Sequence, residues 1–404
     1  MTKEKAKEPQ LRFKGFTNAW EQRKLGEVFI QTSNYVNPKE DNMELWSLTI
    51  EKGLTQKTER YTRDFLVKKD DKYKEVRSGD IVYNPMNMTL GAIGYNDMSR
   101  SVAVSGYYVT MVTNNSTDSY YINTWLKSPQ AILLYKNYAT GSLIEKQRVQ
   151  FPTLSKIETY MPNIEEQKRI GTYFQQLDHL ITLHQRKCDL LSKAKKTLLQ
   201  KMFPKNGEST PEIRFKGFTG AWEQRKLKEL GNIMTGSTPS TAHSEYYSDD
   251  GIPWVTPTDI TDNLIWDTPR KLSKEGEKIG RIVPPNTILV TCIASIGKNA
   301  LLQVKGSFNQ QINSLTPNAE NDPYFLFTQS EIWSVKMKRQ AAAATMQIVN
   351  KSQFSDIETS VPDKIEQERI GCIFKRIDRL ITLHQHELEK LQNIKKSCLK
   401  MMFV

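Results

Sequence analysis

Leu11-Arg-Phe-Lys-Gly-Phe-Thr-Asn-Ala-Trp-Glu-Gln-Arg-Lys-Leu25 comes back as Ile213-Arg-Phe-Lys-Gly-Phe-Thr-Gly-Ala-Trp-Glu-Gln-Arg-Lys-Leu227, altered only at its first position and at Asn18 against Gly220. A match of this length within one chain is not chance, so the fold contains the same plan twice. A second block, Ile157 to Phe203, returns as Ile357 to Phe403. Arg169-Ile-Gly171 answers Arg369-Ile-Gly371, and Ile181-Thr-Leu-His-Gln185 recurs unchanged at Ile381 to Gln385. Between the blocks lie Val28 to Lys156 and Leu230 to Asp356, which do not align with each other. Each half therefore joins a repeated frame to a private insert.

The second block reads as a long helix. Pro162-Asn163 and Pro362-Asp363 place a capping side chain at its start, and Glu166 and Glu366 follow three residues on, where a capping box puts its acid. Apolar positions then step by four and three: Ile170, Phe174, Leu177, Ile181, His184, Cys188, Leu191, Lys195, Leu198 and Met202. The second copy gives Ile370, Phe374, Ile377, Ile381, His384, Leu388, Leu391, Lys395, Cys398 and Met402. A seam of period 3.5, held this long in one register, favours a coiled coil over an ordinary amphipathic helix. Its polar members, His and Lys at matching places, cost stability and fix register.

Pro204, Gly207, Ser209 and Pro211 mark a linker from the first helix straight into the second half. The second helix must then run back along the first. The expected fold class is α+β: two α/β domains joined by two long helices in an antiparallel coiled coil, a pseudo-two-fold tandem duplication. About 38 residues at 1.5 Å each make a strut of roughly 57 Å, with His184 and His384 expected to face each other near its middle.

Composition narrows the partner. In 404 residues, 57 Lys+Arg against 45 Asp+Glu leave a net charge of +12, which suits a polyanion such as nucleic acid. The longest nearly apolar run, Ile288 to Ile296, is far short of a membrane span, and Met1 to Gln10 is charged rather than signal-like, so the expected location is cytoplasmic. Cys188, Cys292, Cys372 and Cys398 form no CxxC pair and read as reduced packing residues.

Motifs that would carry chemistry are incomplete. Tyr83-Asn84-Pro85-Met86 resembles the Asn-Pro-Pro-Tyr loop of amino-methyltransferases but lacks its second proline and terminal aromatic, and no glycine-rich cofactor loop accompanies it. Ser295-Ile-Gly-Lys298 ends like a phosphate-binding loop, yet Cys292 and Asn299 stand where a glycine and a hydroxyl belong. His179, His184, His243, His384 and His386 show no ligand spacing, so no metal is expected. What remains is surface suited to DNA: loops rich in short hydroxyl and amide side chains, which fit base edges, with lysines for phosphates.

Gly236-Ser-Thr-Pro-Ser240, Ile252-Pro-Trp-Val-Thr-Pro-Thr-Asp259, Ser295-Ile-Gly-Lys298 and Asn309-Gln-Gln-Ile312 together resemble a target-recognition domain of the specificity subunits of type I restriction-modification systems. Pro362 to Ile370 is similar to the start of that family's spacer helix, and the resemblance covers nearly the whole chain. The first insert keeps only Ser78-Gly-Asp-Ile-Val-Tyr83, Ala139-Thr-Gly-Ser142 and the exit into the helix. The resemblance implies a first target-recognition domain at 1–156, a spacer helix at 157–203, a linker at 204–212, a second recognition domain at 213–356 and a second spacer helix at 357–404.

It also implies a chain that is not itself an enzyme. Double-stranded DNA would meet Ser237, Thr238, Thr258, Asp259, Lys298, Asn299 and Asn309 in the second domain, with Tyr83, Asn84 and Ser142 in the first. Ile170, Phe174, Leu177, Ile181, His184, Leu191 and their counterparts Ile370, Phe374, Ile377, Ile381, His384, Leu391 would form the helix and partner interface. No cofactor is expected on this chain. S-adenosylmethionine would sit on two modification subunits that methylate adenine, and ATP and magnesium on two restriction (motor-nuclease) subunits. A stand-alone DNA-binding regulator and a coiled-coil scaffold are the rival classes; neither resemblance nor layout calls for a membrane.

Overall fold

The repeated Glu-Gln-Arg-Lys tetrapeptide is a strand in both copies. Glu21–Lys24 pairs antiparallel with Glu158–Met161, and Glu223–Lys226 pairs in the matching register with Glu358–Val361. These two-stranded ribbons tie the first repeated block to the second, so the frame is a contact as well as a sequence motif. The structure is a computed structural model describing residues 8–56, 72–141, 147–205, 207–342 and 348–404.

After each ribbon comes one helix of 38 residues, Ile164–Lys201 and Lys364–Met401. Both thus begin later than 157 and 357, because the preceding residues are spent on the ribbon. Asn163 and Asp363 cap as expected, their Oδ1 atoms accepting the Glu166 and Glu366 N–H at 2.9 Å. The other half of the expected capping boxes is replaced. The fully buried Glu166 carboxylate takes a two-pronged grip from Arg12, Nε and Nη2 donating at 2.8 Å each, and Glu366 takes the same from Arg214 at 2.7 Å. A bidentate guanidinium is a stronger partner for a buried carboxylate than one backbone N–H. The same arginines also donate to the Asn18 and Gly220 carbonyls. The one interior position at which the repeats differ therefore contributes only its backbone.

The chain groups into two compact units, residues 1–184 with 387–404, and residues 185–386. Each unit holds one insert, the start of its own long helix and the end of the other. In the first unit the Phe174 and Phe403 rings stack at 5.8 Å while Asp178 binds Lys395 further along. In the second unit Phe374 meets Phe203 at 5.9 Å and Asp378 binds Lys195 at 2.9 Å. Moving forward on one helix means moving back on the other, so the helix segments in each unit are antiparallel. The chain is an α+β tandem duplication of two α/β domains and two long, paired helices.

Seam residues Ile170, Phe174, Leu177, Cys188 and Met202 are buried; Ile181, His184, Leu191, Lys195 and Leu198 are half-buried. Ile370, Phe374, Cys398 and Met402 are buried in the second helix; Ile377, Ile381, His384, Leu388, Leu391 and Lys395 are half-buried. The seam lysines do not sit bare against apolar neighbours. Each pairs with the aspartate of the facing segment, Asp178 or Asp378. Gly171 and Gly371 allow close approach: a Cβ there would lie 2.5 and 2.4 Å from Asp118 and Asp322 Oδ1. Those aspartates cap the next helices, accepting the Tyr121 and Phe325 N–H at 2.8 and 2.7 Å.

The two inserts, which do not align in sequence, each build a sheet of the same strand order. In the first the strand order is 29–32, 109–113, 81–83, 93–95; in the second it is 231–235, 312–317, 287–291, 299–302, with Leu264–Ile265 added at the edge. Thr32 lies opposite Thr110 and Thr235 opposite Asn313, while Tyr83 faces Val109 and Thr291 faces Ile312. The central strands are covered on both faces. Ile288 and Val290 enter one core and Leu289 another, and Ile81 and Tyr83 part from Val82 in the same way. Burial on both faces makes the run apolar without alternation. Pro129, held after the capping Ser128, divides the first domain's helix into Ser119–Leu126 and Pro129–Tyr138, where the second has one helix, Pro323–Ala342.

Candidate nucleic-acid interface

Strands 231–235, 287–291 and Tyr247–Val255 end, and strands 299–302 and 312–317 begin, at the same edge of the second domain. The loops there are stitched to one another. The Gly236 N–H donates to the Ile312 carbonyl at 3.1 Å and that of Ser237 to Phe308 at 2.9 Å. The Asn309 N–H donates to Val255 at 2.9 Å, and that of Cys292 to Gln311 at 2.8 Å. The segment around Asn309 is thus the hub to which three other loops are bonded. Trp254 locks the first of them from below, its Nε1 donating to the Ser237 carbonyl at 3.0 Å.

On this scaffold Thr238, Thr258 and Lys298 are exposed. The Thr258 hydroxyl lies 2.8 Å from that of Thr256, and Thr238 donates to Gln310 Oε1, an exposed amide that the sequence pattern contained but did not single out. The remaining candidates are partly committed to the scaffold. Ser237 Oγ accepts the Arg281 N–H at 3.1 Å, and Asp259 Oδ2 accepts both the N–H and the hydroxyl of Thr256 at 2.8 and 2.6 Å. Asn299 accepts from Ser334 at 3.0 Å, and the nearly buried Asn309 accepts the Gln311 N–H at 3.0 Å. These four shape the loops; Thr238, Thr258, Lys298 and Gln310 carry the open polar surface.

In the first domain, Asn84 lies at the equivalent edge, half-buried, its Oδ1 accepting the Met86 N–H at 3.0 Å. Tyr83 does not belong to that surface. It is fully buried, burial pushes its hydroxyl pKa upward, and it has no exposed atom with which to reach a base. The strand alternation that sends Ile81 into the helix-side core sends Tyr83 there too. Ser142 lies outside the described residues. The turn before this strand, Ser78-Gly79-Asp80, needs glycine, with Gly79 at φ 88°, and Asp80 closes it by accepting the Arg77 N–H at 2.8 Å.

The Cys292 thiol beside the hub is pushed up to about 12 by burial, which makes it a packing residue rather than a nucleophile. Among the described residues no cluster of three His, Cys, Asp or Glu side chains is placed to hold a metal, and no helix is long and apolar enough to cross a membrane.

A family model described as the type I restriction modification DNA specificity domain matches residues 18–193 and again 220–393. The chain is 22% identical over 369 residues to the type I restriction enzyme MjaVIII specificity subunit of Methanocaldococcus jannaschii, covering 85% of this chain and 83% of that one. It is 33% identical over 165 residues to the HindI specificity subunit of Haemophilus influenzae, a match spanning 38% of this chain and 36% of that relative's length. In structure it is similar to the type-I restriction-modification S subunit from M. genitalium, with a TM-score of 0.70 at 15% identity over 98% of this chain and 99% of that one, which shows a shared fold.

Proposed function

The chain belongs to the family of type I restriction-modification DNA specificity proteins, and from that premise we propose that it reads a split, asymmetric DNA target and performs no catalysis. Each domain reads one half-site through the loop edge of its sheet. In the second domain, the Thr238 and Thr258 hydroxyls and the Gln310 amide address base edges while Lys298 addresses a phosphate. The observation that carries this reading is the gathering of residues from four separated loops onto one hydrogen-bonded edge. A rigid, preorganised edge loses little entropy on binding.

Two modification subunits bind the long helices and use S-adenosylmethionine to methylate adenine; two restriction subunits add ATP- and magnesium-dependent cleavage. Leucines off the paired seam support docking on the helices: Leu180 and Leu183 are 40% and 38% exposed, Leu380 and Leu383 43% and 53%. Exposed apolar stripes on a helix mark partner surfaces.

Single-molecule methylome sequencing of a host carrying this chain and its partners tests the proposal. A gapped motif with unlike halves is expected, and replacing residues 231–356 with another family member's insert should change one half alone. A continuous or palindromic motif would overturn it.

A further inference from the structure

The loop edge of the first domain differs in kind from that of the second. Large apolar side chains stand open along it: Tyr35 is 58% exposed, Tyr107 43%, Met86 42% and Leu90 56%. Their positions follow from topology. Tyr35 comes just after strand 29–32, Met86 and Leu90 just after strand 81–83, and Tyr107 just before strand 109–113, so all lie at one edge of the sheet. In the second domain the loops bonded to the hub at the equivalent edge expose mainly polar side chains, among them Thr238, Ser240, Thr258, Lys298 and Gln310.

Cations stand beside the apolar group. The ammonium of Lys72 lies 5.7 Å, and that of Lys74 5.8 Å, from the centroid of the Tyr35 ring. Lys74 is buried and donates to the Tyr108 carbonyl at 2.7 Å, so it acts as a fixed support. Lys72 is exposed, and its own carbonyl accepts the Gly106 N–H at 2.8 Å, which ties it to the Tyr107 loop. A ring held against two ammonium groups is positioned before any ligand arrives.

We propose that the first domain reads its half-site by base stacking and groove filling, with Tyr35 as the leading side chain and Lys72 on the adjoining phosphate. Exposed apolar side chains next to lysines suit a polyanion whose bases offer flat apolar faces, and wedges of this kind work by partly unstacking a base step. The first half-site would then be selected by its ease of deformation, which is greatest at pyrimidine–purine steps, and the second by direct hydrogen bonds. This inference rests on the DNA-reading function proposed above.

The test uses the complete chain co-purified with its modification subunits. The DNA is a duplex carrying the methylation motif found by sequencing, with 2-aminopurine placed in turn at purines of each half-site other than the methylated adenine. Binding of the wild-type complex should raise fluorescence at one position in the first half-site. Tyr35→Ala should abolish that rise and weaken binding roughly ten- to a hundredfold, while Tyr35→Phe keeps both. Should Tyr35→Ala fail to accumulate, Tyr107→Ala is read by the same signal. An unchanged fluorescence rise in the alanine variants overturns the proposal. So does loss of the modification subunits with stacking intact, which would make the patch a protein-docking surface. A wild-type complex with no motif-specific binding would instead defeat the DNA-reading function itself.

Discussion

Asp178 and Asp378 occupy the same place in the two long helices and live differently. Asp378 is nearly enclosed, takes Lys195 at 2.9 Å and the Tyr324 hydroxyl at 2.8 Å, and shares that lysine with Glu331. Burial alone would lower the Lys195 pKa, but the two carboxylates hold its ammonium above the usual range. Asp178 is half open to solvent and has Lys395 as its ion-pair partner. The reason lies in the inserts. Nine residues after the capping aspartate, the second domain offers Glu331 (331 − 322) and the first offers Lys127 (127 − 118). Tyr120, the counterpart of Tyr324, leans on Tyr95 at 5.1 Å and meets the helix at Gln175 instead of Asp178. Where the frame touches itself, as at the arginine clamps, the halves agree to a tenth of an ångström; where it touches an insert, each half follows its own insert.

The largest effect that could break this comparison is expected at the clamps. Glu166→Ala and Glu366→Ala each leave a half-buried arginine without its carboxylate and should each cost about 2–4 kcal/mol. Chemical denaturation followed by unit-specific hydrogen exchange would measure both, and a clear inequality would mean the frames are not equivalent. A smaller, unequal pair should appear about three turns further along. Asp378→Ala leaves the Tyr324 hydroxyl and part of Lys195 unsatisfied and should cost about 1–3 kcal/mol. Asp178→Ala removes a solvated pair and should cost under about 1 kcal/mol. Equal losses would show that burial does not set the difference.

A substitution sharpens the point: desolvation of its ammonium and the nearby Lys395 push the Lys127 pKa down to about 8, so Lys127→Gln, which removes that repulsion without adding an acid beside Asp178, should not destabilise the first unit. A destabilised first unit in a thermal melt would argue against that repulsion. Smallest in stability is Lys298→Ala, which should leave the melt unmoved yet weaken binding to all DNA sequences alike and lower the salt slope by about one unit. An unchanged slope would reduce Lys298 to a solvated loop charge.

The repeat made the duplication, the helix register and the antiparallel return legible, because a seam of fixed period is a local signal. The loops of the second domain were legible as a family pattern, but not which members face outward: Asp259 and Asn299 look like base readers in sequence and are occupied by Thr256 and Ser334 in the fold. The kinship of the inserts was not legible at all. A sheet covered on both faces asks only for apolar residues, so Ile81–Tyr83 and Thr287–Thr291 do the same job with different letters. Tyr83 looks like a surface residue in sequence for the same reason, since a buried strand end and an open loop start are one residue apart. The partner of Glu166 was hidden by distance along the chain, Arg12 lying in the other repeated block.

Met402 and Phe403 are buried in the core of the first unit, where the Gln130 side chain also binds the Lys400 and Phe403 carbonyls at 2.7 and 2.9 Å. The first domain is therefore completed by residues made after the whole of the second domain's insert. At 5–20 residues per second, it waits on the order of 10–50 s for them with an unfilled apolar slot. The second unit receives Met202 and Phe203 before its own insert is made and has no such delay. Nascent chains of this protein should accordingly need chaperone cover on their first half, and deleting Met402 and Phe403 should weaken the first domain rather than the second.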